Sequence, residues 1–242
     1  NLKLFYKILS LSLMLLVVFG CCMAWMTSSM RNELLVAKQA DIRHAVESAW
    51  STVAYFSKEQ ESGRLSSADA QQLAKEALRN MRFDGSNYFW INDLEPRMVM
   101  HPMKPELEGK AVGSMKDPNG TPLFMEMIRV ARGAGEGYVR YVWDKPGVSE
   151  PVAKISYVKA LPEWNWIVGA GLYVDDIQAV VNNLILWSVI IMAIVVLAAA
   201  ALTITTARSI TRPIAALMEM VNDLNRGDLK ARLGFERKDE IG

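Results

Sequence analysis

The sequence has 242 residues, 27 basic against 26 acidic side chains, and only two cysteines. Because the basic and acidic side chains nearly cancel, the composition does not indicate the strongly basic surface that nucleic-acid binding requires. The cysteines are the neighbours Cys21 and Cys22, which lie inside an apolar run, so the rest of the chain can contain neither a disulfide nor a thiolate metal site.

Two uncharged runs, Ile8–Met26 and Leu184–Ala207, divide the chain. At about 1.5 Å per residue the first run measures roughly 28 Å, which is close to the hydrocarbon thickness of a bilayer. A cleaved signal peptide is the alternative for the first run, although its apolar stretch is longer than a signal sequence needs. A buried core helix is the alternative for the second run. We predict transmembrane helices at residues 8–26 and 184–207.

Basic residues close to the two runs predict the orientation of the chain. Lys3 and Lys7 precede the first run, and Arg208 and Arg212 follow the second. Because basic residues near a span favour the cytoplasmic side, residues 1–7 and 208–242 are expected in the cytoplasm. Residues 27–183 are then expected to form one domain outside it.

The outer segment begins with helical patterns. Residues 30–60 contain neither proline nor glycine, and their apolar positions recur at spacings of three, four and seven, which predicts one long amphipathic helix. Ser66 followed by Asp69 resembles a capping box, so a second helix is predicted from there to Met81, before Asp84-Gly85.

From residue 87 the apolar period changes to two, which is typical of strands. Asn87–Asn92 and Arg97–His101 are predicted to form a hairpin. Residues 102–122 contain too many prolines and glycines for regular structure, and Leu123–Arg132 is predicted to be a short helix.

Three more strands and a final helix complete the outer segment. Helix is predicted to resume at Tyr173, after strands at Gly137–Asp144, Val152–Leu161 and Trp164–Leu172. The predicted fold class is therefore α+β, with a long N-terminal helix and an antiparallel sheet of about five strands.

Beyond the second run, apolar residues alternate steps of four and three. This 3.5-residue period predicts a coiled-coil seam, and a seam requires a partner helix, hence a dimer. The seam positions are Ile210, Ile214, Leu217, Val221 and Leu224.

The same segment resembles a HAMP domain. Arg212-Pro213 follows the membrane run, Gly227-Asp228-Leu229 occupies the place of the connector, and Asp239-Glu240-Ile241-Gly242 matches the start of the second helix. The resemblance covers residues 208–242 and predicts a partial HAMP coiled coil.

The outer segment resembles the single-Cache domains of bacterial methyl-accepting chemotaxis proteins. The matching motifs are Asp84-Gly85 leading into NYFWIN, Met100-His101-Pro102, DPNG at 117–120, Lys145-Pro146-Gly147 and KISYVK at 154–159. This resemblance implies a PAS-like sheet that senses small ligands, often short organic acids, outside the bacterial inner membrane.

The family resemblance also implies partners. It predicts a membrane-embedded homodimer that acts, through a cytoplasmic signalling domain beyond Gly242, on a chemotaxis histidine kinase and its coupling protein. Two alternatives stay open: the sensor half of a histidine kinase or diguanylate cyclase, and a protein-interaction module without a small ligand. The sequence contains two histidines and neither metal-ligand spacing nor a phosphate loop, so we predict no cofactor and no enzymatic activity.

In such a fold the ligand lies between the sheet and the segment covering it, so the candidates are polar and aromatic side chains on one sheet face. Tyr88 and Trp90 share a face and offer rings with a polar edge, although both could be ordinary core residues. His101 could bind an anion or report pH, because its ordinary pKa is near neutral, or it could be structural.

Lys154 and Ser156 alternate onto one face of their strand. A lysine within a sheet is costly without a partner, which would be a bound carboxylate or an acidic residue of the covering loop. Tyr141 and Tyr157 could add hydroxyl groups, but Tyr157 lies on the opposite face from Lys154 unless a bulge intervenes.

Overall fold

The computed structural model describes residues 2–226, with side chains from residue 10 onward except 207, 211 and 212. It divides into two compact units, Arg31–Val181 and the combination of Asn1–Met30 with Asn182–Gly242. We call them the α+β unit and the helical unit. The predicted HAMP connector at 227–229 and the motif at 239–242 lie outside the described residues.

Two helices open the chain. The first, α1, spans Leu2–Glu61, so the predicted long helix is confirmed. The second, α2, spans Ser67–Arg79, and the Ser66 hydroxyl oxygen accepts a hydrogen bond from the Asp69 backbone N–H at 3.1 Å, as an N-cap does.

The sheet has six antiparallel strands in the order β1-β2-β6-β5-β4, and β3 pairs with β2. The strands are β1 (Arg82–Phe83), β2 (Asn87–Asp93), β3 (Met98–Met100), β4 (Glu136–Trp143), β5 (Val152–Leu161) and β6 (Trp166–Tyr173). The predicted α+β class is confirmed.

The prediction of about five strands missed β1. Asp84 and Gly85 both have positive φ, 43° and 89°, and they turn the chain from β1 back into β2. An Asp-Gly pair favours such a turn, but two residues are too few for strand periodicity to be read. In consequence α2 ends at Arg79 rather than Met81.

Most connections follow the predictions. The segment 102–122 contains one short 3₁₀ helix, Pro105–Leu107, and α3 spans Leu123–Ala134. The last strand begins at Trp166, two residues later than predicted, because Pro162–Trp164 forms a 3₁₀ turn.

The two faces of the sheet carry separate hydrophobic cores, since successive side chains of a strand point to opposite faces. One core joins α1 and α2 to residues such as Phe89, Ile91 and Val168. The other joins Leu123 and Met127 of α3 to the second face. Each fully buried aliphatic side chain stabilises the fold by about 1.5–3 kcal/mol.

The helical unit contains the start of α1, most of α4 (Val174–Thr206), a π-helical turn at Ala207–Thr211, and α5 (Arg212–Asn225). By length and composition, α1 and α4 are each suited to cross a membrane. Their apolar side chains are exposed in this unit, as Trp25 at 73% and Leu197 at 71% illustrate. The Thr27 and Ser188 hydroxyl oxygens lie 3.5 Å apart, so the two helices meet there.

Candidate ligand-binding site

Lys154 is buried in the middle of the sheet. Strand alternation in β5 points Lys154 and Ser156 toward the face that α3 covers, and points Ile155 toward the other face. Its neighbours across the strands are Tyr141 of β4 and Tyr173 of β6. Only 1% of Lys154 is exposed.

The Lys154 amine is surrounded by aromatic groups. Its Nζ lies 3.1 Å from the Tyr88 hydroxyl oxygen and within 4.1 Å of the Tyr88 ring centroid, 4.7 Å of the Tyr173 centroid and 5.6 Å of the Trp90 centroid. Among residues 10–226 whose side chains are described, no carboxylate forms an ion pair with it. Burial lowers the pKa of Lys154 to about 7.

A small cavity adjoins the amine. It offers about 10 Å³ for the centre of a water molecule, so it has room for about one water as it stands. A larger ligand requires the side chains around it to move. The lining residues are Tyr88, Trp90, His101, Leu123, Phe124, Tyr141, Trp143 and Lys154.

His101 is buried beside this cavity, with its ring centroid 5.1 Å from that of Tyr88. Its Nδ1 accepts a hydrogen bond from the Lys104 backbone N–H at 2.9 Å, which assigns the ring proton to Nε2. Burial, with the charges of Lys154 and Lys104, lowers the pKa of His101 to about 3. Burial thus disfavours a charged His101 ring, which argues against a role for it in reporting pH near neutrality.

Hydrogen bonds inside the protein occupy part of the remaining polar groups. The Tyr141 and Ser156 hydroxyl oxygens lie 2.9 Å apart, and burial raises the pKa of Tyr141, so its phenol stays protonated. The Trp90 indole N–H donates to Asn92 Oδ1 at 3.1 Å. Trp90 therefore offers the cavity a ring rather than a donor.

Tyr157 does not join the cavity. It lies on the opposite sheet face, where its ring packs edge-on against Tyr138 with a centroid distance of 4.8 Å and the Arg43 guanidinium lies 6.0 Å from its centroid. The described part of β5 has no bulge that would turn it round. The structure thus brings together six of the seven predicted residues.

Two glycines of β6 were not predicted. A Cβ on Gly169 would lie 2.4 Å from an atom of the Trp90 ring, and a Cβ on Gly171 would lie 2.1 Å from Ser156 Oγ and 2.8 Å from Lys154 Cε. Both positions therefore require glycine for the cavity side chains to lie where they do. The Gly-x-Gly-x-Tyr alternation ending at Tyr173 could have indicated this.

Polar contacts connect the cavity region to the start of α4. The Tyr173 hydroxyl donates to the Asp144 carbonyl oxygen at 2.7 Å. Next to it, Lys145 Nζ lies 2.8 Å from Asp175 Oδ2 and 2.7 Å from Asp176 Oδ1, in the first turn of α4. The β4–β5 hairpin therefore holds the beginning of this helix.

A roomier groove of about 430 Å³ has Arg31 and Arg140 in its lining, and Lys154 and Tyr141 line it too. Both arginines are exposed, so an anion there would compete with water for them. The buried amine is the stronger recognition element, and we take the small cavity as the candidate site.

A buried cavity lined by rings and a few polar groups, under a loop and a helix on one face of an antiparallel sheet, is the kind of site that suits a small molecule. Residues 26–193 match the dCache_2 family model, described as a Cache domain, and residues 205–242 match the HAMP domain model. The chain belongs to the Cache domain family, and the predicted Cache and HAMP resemblances are confirmed.

Two curated relatives carry different output functions in their names. The methyl-accepting chemotaxis protein McpP of Pseudomonas putida strain KT2440 is 38% identical over 98% of this chain and 43% of its own length. The sensor histidine kinase MctS of Rhizobium johnstonii strain 3841 is 30% identical over 61% of this chain and 31% of its own length. The chain thus spans less than half of either relative.

A solved structure of a Cache chemosensory domain is similar to part of this chain. It is described as the structural basis for carboxylic acid recognition by that domain, and it is 40% identical with a TM-score of 0.57. The match covers 59% of this chain and 97% of the other.

Proposed function

We propose that this chain is the input part of a transmembrane chemoreceptor, and that its Cache domain binds a small carboxylate at Lys154. The observation that carries the proposal is the buried Lys154 amine, for which the described residues provide no acidic partner. An amine in such a place is costly on its own. A bound carboxylate would supply the missing charge.

The other side chains of the cavity suit the rest of such a ligand. The Tyr88 hydroxyl and His101 Nε2–H can donate to a carboxylate oxygen, and charge-assisted hydrogen bonds of this kind are among the stronger ones. The rings of Trp90, Phe124 and Trp143 suit a short apolar tail. The small space favours an acid of a few carbon atoms.

Similar proteins support this proposal. The similar solved Cache domain is described as recognising carboxylic acids. McpP is named as a chemotaxis protein, and its match extends over the Cache and HAMP regions of this chain.

The proposed setting is the bacterial inner membrane, with the α+β unit in the periplasm and a homodimer as the signalling form. Two helices suited to span a membrane and the basic residues beside them support the topology. The seam residues Ile210, Ile214, Val221 and Leu224 are exposed, which supports a partner helix. A chemotaxis histidine kinase and its coupling protein would receive the signal.

A sensor histidine kinase is the second candidate, because MctS shares the sensor region. Both candidates use the same input site and differ in the output domain. A chemotaxis kinase assay on the native full-length receptor distinguishes them, since only a chemoreceptor would control a separate kinase.

The binding proposal is tested by titration calorimetry with formate, acetate, propionate and butyrate. We expect one or more of these acids to bind. The Lys154→Met substitution should weaken the affinity for that acid by at least about thirtyfold, since removing one partner of a buried charge pair costs about 2–5 kcal/mol.

Lys159→Met is the matched control on the same strand. Lys159 pairs with Glu136 and lies near Trp50 on the other sheet face, so its loss should leave binding unchanged. Unaltered binding by a folded Lys154→Met protein contradicts the proposal. If Lys154→Met unfolds instead, the lysine is structural and the proposal is equally wrong.

A further inference from the structure

We propose that above neutral pH the cavity takes up one proton with each carboxylate, because Lys154 is then neutral in the empty receptor and becomes a cation when the anion binds. The inference rests on the proposed function and adds the charge change at the site. Under these conditions the site binds the carboxylate together with a proton.

The geometry around Nζ favours a neutral amine in the empty site. Lys154 is 1% exposed, and its amine lies at hydrogen-bond distance from the Tyr88 hydroxyl, which can donate to a neutral amine as readily as it can accept from an ammonium. The nearby rings favour a cation, but they carry no net charge to offset the loss of water. Burial alone lowers the pKa of Lys154 to about 7.

The titratable groups that face the amine belong to four elements: Tyr88 on β2, His101 after β3, Tyr141 on β4 and Tyr173 on β6. Burial raises the pKa of all three phenols, so they stay protonated. Burial is also the largest cause that lowers the pKa of His101, so its ring stays neutral. Lys154 is therefore the group of this cluster that can change charge between pH 6 and 8.5.

The neighbouring acids are already engaged. Asp144 Oδ2 accepts a hydrogen bond from Lys104 Nζ at 2.5 Å. Asp117 accepts backbone hydrogen bonds from Asn119, Thr121 and Val142 at 2.8–3.0 Å. Neither is positioned to neutralise a Lys154 cation, so that role falls to the ligand.

The sign of the pH dependence follows. A bound anion raises the proton affinity of Lys154, so binding and protonation strengthen each other. Below pH 7 Lys154 is mostly protonated in the empty site, so the affinity for the anion hardly changes with pH. Above pH 7 binding requires the uptake of a proton, so the affinity falls as the pH rises. The Kd should be about tenfold weaker at pH 8 than at pH 6, as a single group titrating near 7 requires.

The test is calorimetry of the whole chain in lipid nanodiscs, with the four acids from formate to butyrate, in two buffers of different ionisation heat at each pH: phosphate and bis-Tris at pH 6, and borate and Tris at pH 8.5. The dependence of the binding heat on the ionisation heat of the buffer gives the number of protons taken up. We expect nearly none at pH 6 and nearly one at pH 8.5. Binding at pH 8.5 without proton uptake overturns this inference alone, whereas no binding of any acid at either pH overturns the proposed function as well.

Two variants identify the proton acceptor. Lys154→Arg keeps a permanent cation, so any binding it retains should show no proton uptake and no change of Kd between pH 6 and 8.5. His101→Gln should retain proton uptake at pH 8.5, and its loss in a variant that still binds would assign the proton to the histidine and contradict the inference.

Discussion

At the residue scale, the cavity depends on the absence of a side chain at Gly171 of β6 as much as on Lys154 and Ser156 of β5. Gly171 leaves the space that the Lys154 stem and the Ser156 hydroxyl occupy, because a Cβ there would overlap both. The lysine can therefore remain within the sheet and keep its amine near the Tyr88 hydroxyl.

Replacing Gly171 with alanine should disturb this arrangement. We expect Gly171→Ala to destabilise the fold by about 1–3 kcal/mol, because an added methyl group in a packed interior forces its neighbours to shift, and to weaken carboxylate binding. Denaturant unfolding measures the first effect and calorimetry the second.

Gly133→Ala is the matched control. Gly133 lies inside α3 with open space around a Cβ, so alanine should stabilise this helix by about 0.5–1 kcal/mol and leave binding unchanged. Equal stability and equal affinity of the Gly171→Ala and wild-type proteins would show that the close packing of β6 is not required.

Strand alternation predicts that Tyr88 and Trp90 share a face, as do Lys154 and Ser156, since a period of two decides which side chains of a strand point the same way. It does not by itself identify Phe124 and Trp143, which also line the cavity. The same rule places Tyr157 on the other face. The low pKa of His101 could not be predicted, because its largest cause is burial, which the local sequence does not reveal. Gly169 and Gly171 were missed because the ring and amine they accommodate come from other strands.

At the element scale, the β4–β5 hairpin is joined to the first turn of α4 through Lys145, Asp175 and Asp176. Acidic residues in a first turn also suit the positive end of the helix dipole. Tyr173 faces the Lys154 amine and also donates a hydrogen bond to the Asp144 carbonyl oxygen. Under the proposed function, a ligand that moved Tyr173 would therefore act on the start of α4.

Removing the Lys145 side chain should make the first turn of α4 less stable. We expect Lys145→Met to increase amide hydrogen exchange in the first turn of α4, while global stability changes by less than about 1 kcal/mol, as for partly exposed ion pairs. Exchange followed by mass spectrometry reports the local effect. Lys110→Met, at an exposed lysine without a described side-chain ion pair, serves as control, and identical exchange in the two variants would contradict a holding role for Lys145.

Long elements were predictable where their pattern repeats. The apolar period of α1 and the alternation in β2, β4 and β5 each extend over several residues, and the structure confirms them. The strand β1 and the 3₁₀ turn before β6 are too short to show a period. They depend on backbone conformations at Asp84, Gly85 and Asn165 that the residue pattern only partly specifies.

At the scale of the whole molecule, a Cache domain is joined in sequence to two helices suited to cross a membrane and to a HAMP region. Under the proposed function, a carboxylate outside the cell changes the balance between two states of α4, by no more than the difference in its affinity for those states.

The most direct measurement of the central claim is a crystal structure of residues 27–183 with the tightest-binding acid of the formate-to-butyrate series. We predict a carboxylate oxygen within about 3.2 Å of Lys154 Nζ, with the acid's tail against Trp90, Phe124 and Trp143. A carboxylate bound at Arg31 and Arg140 instead, with Lys154 still in contact only with Tyr88, would contradict the account.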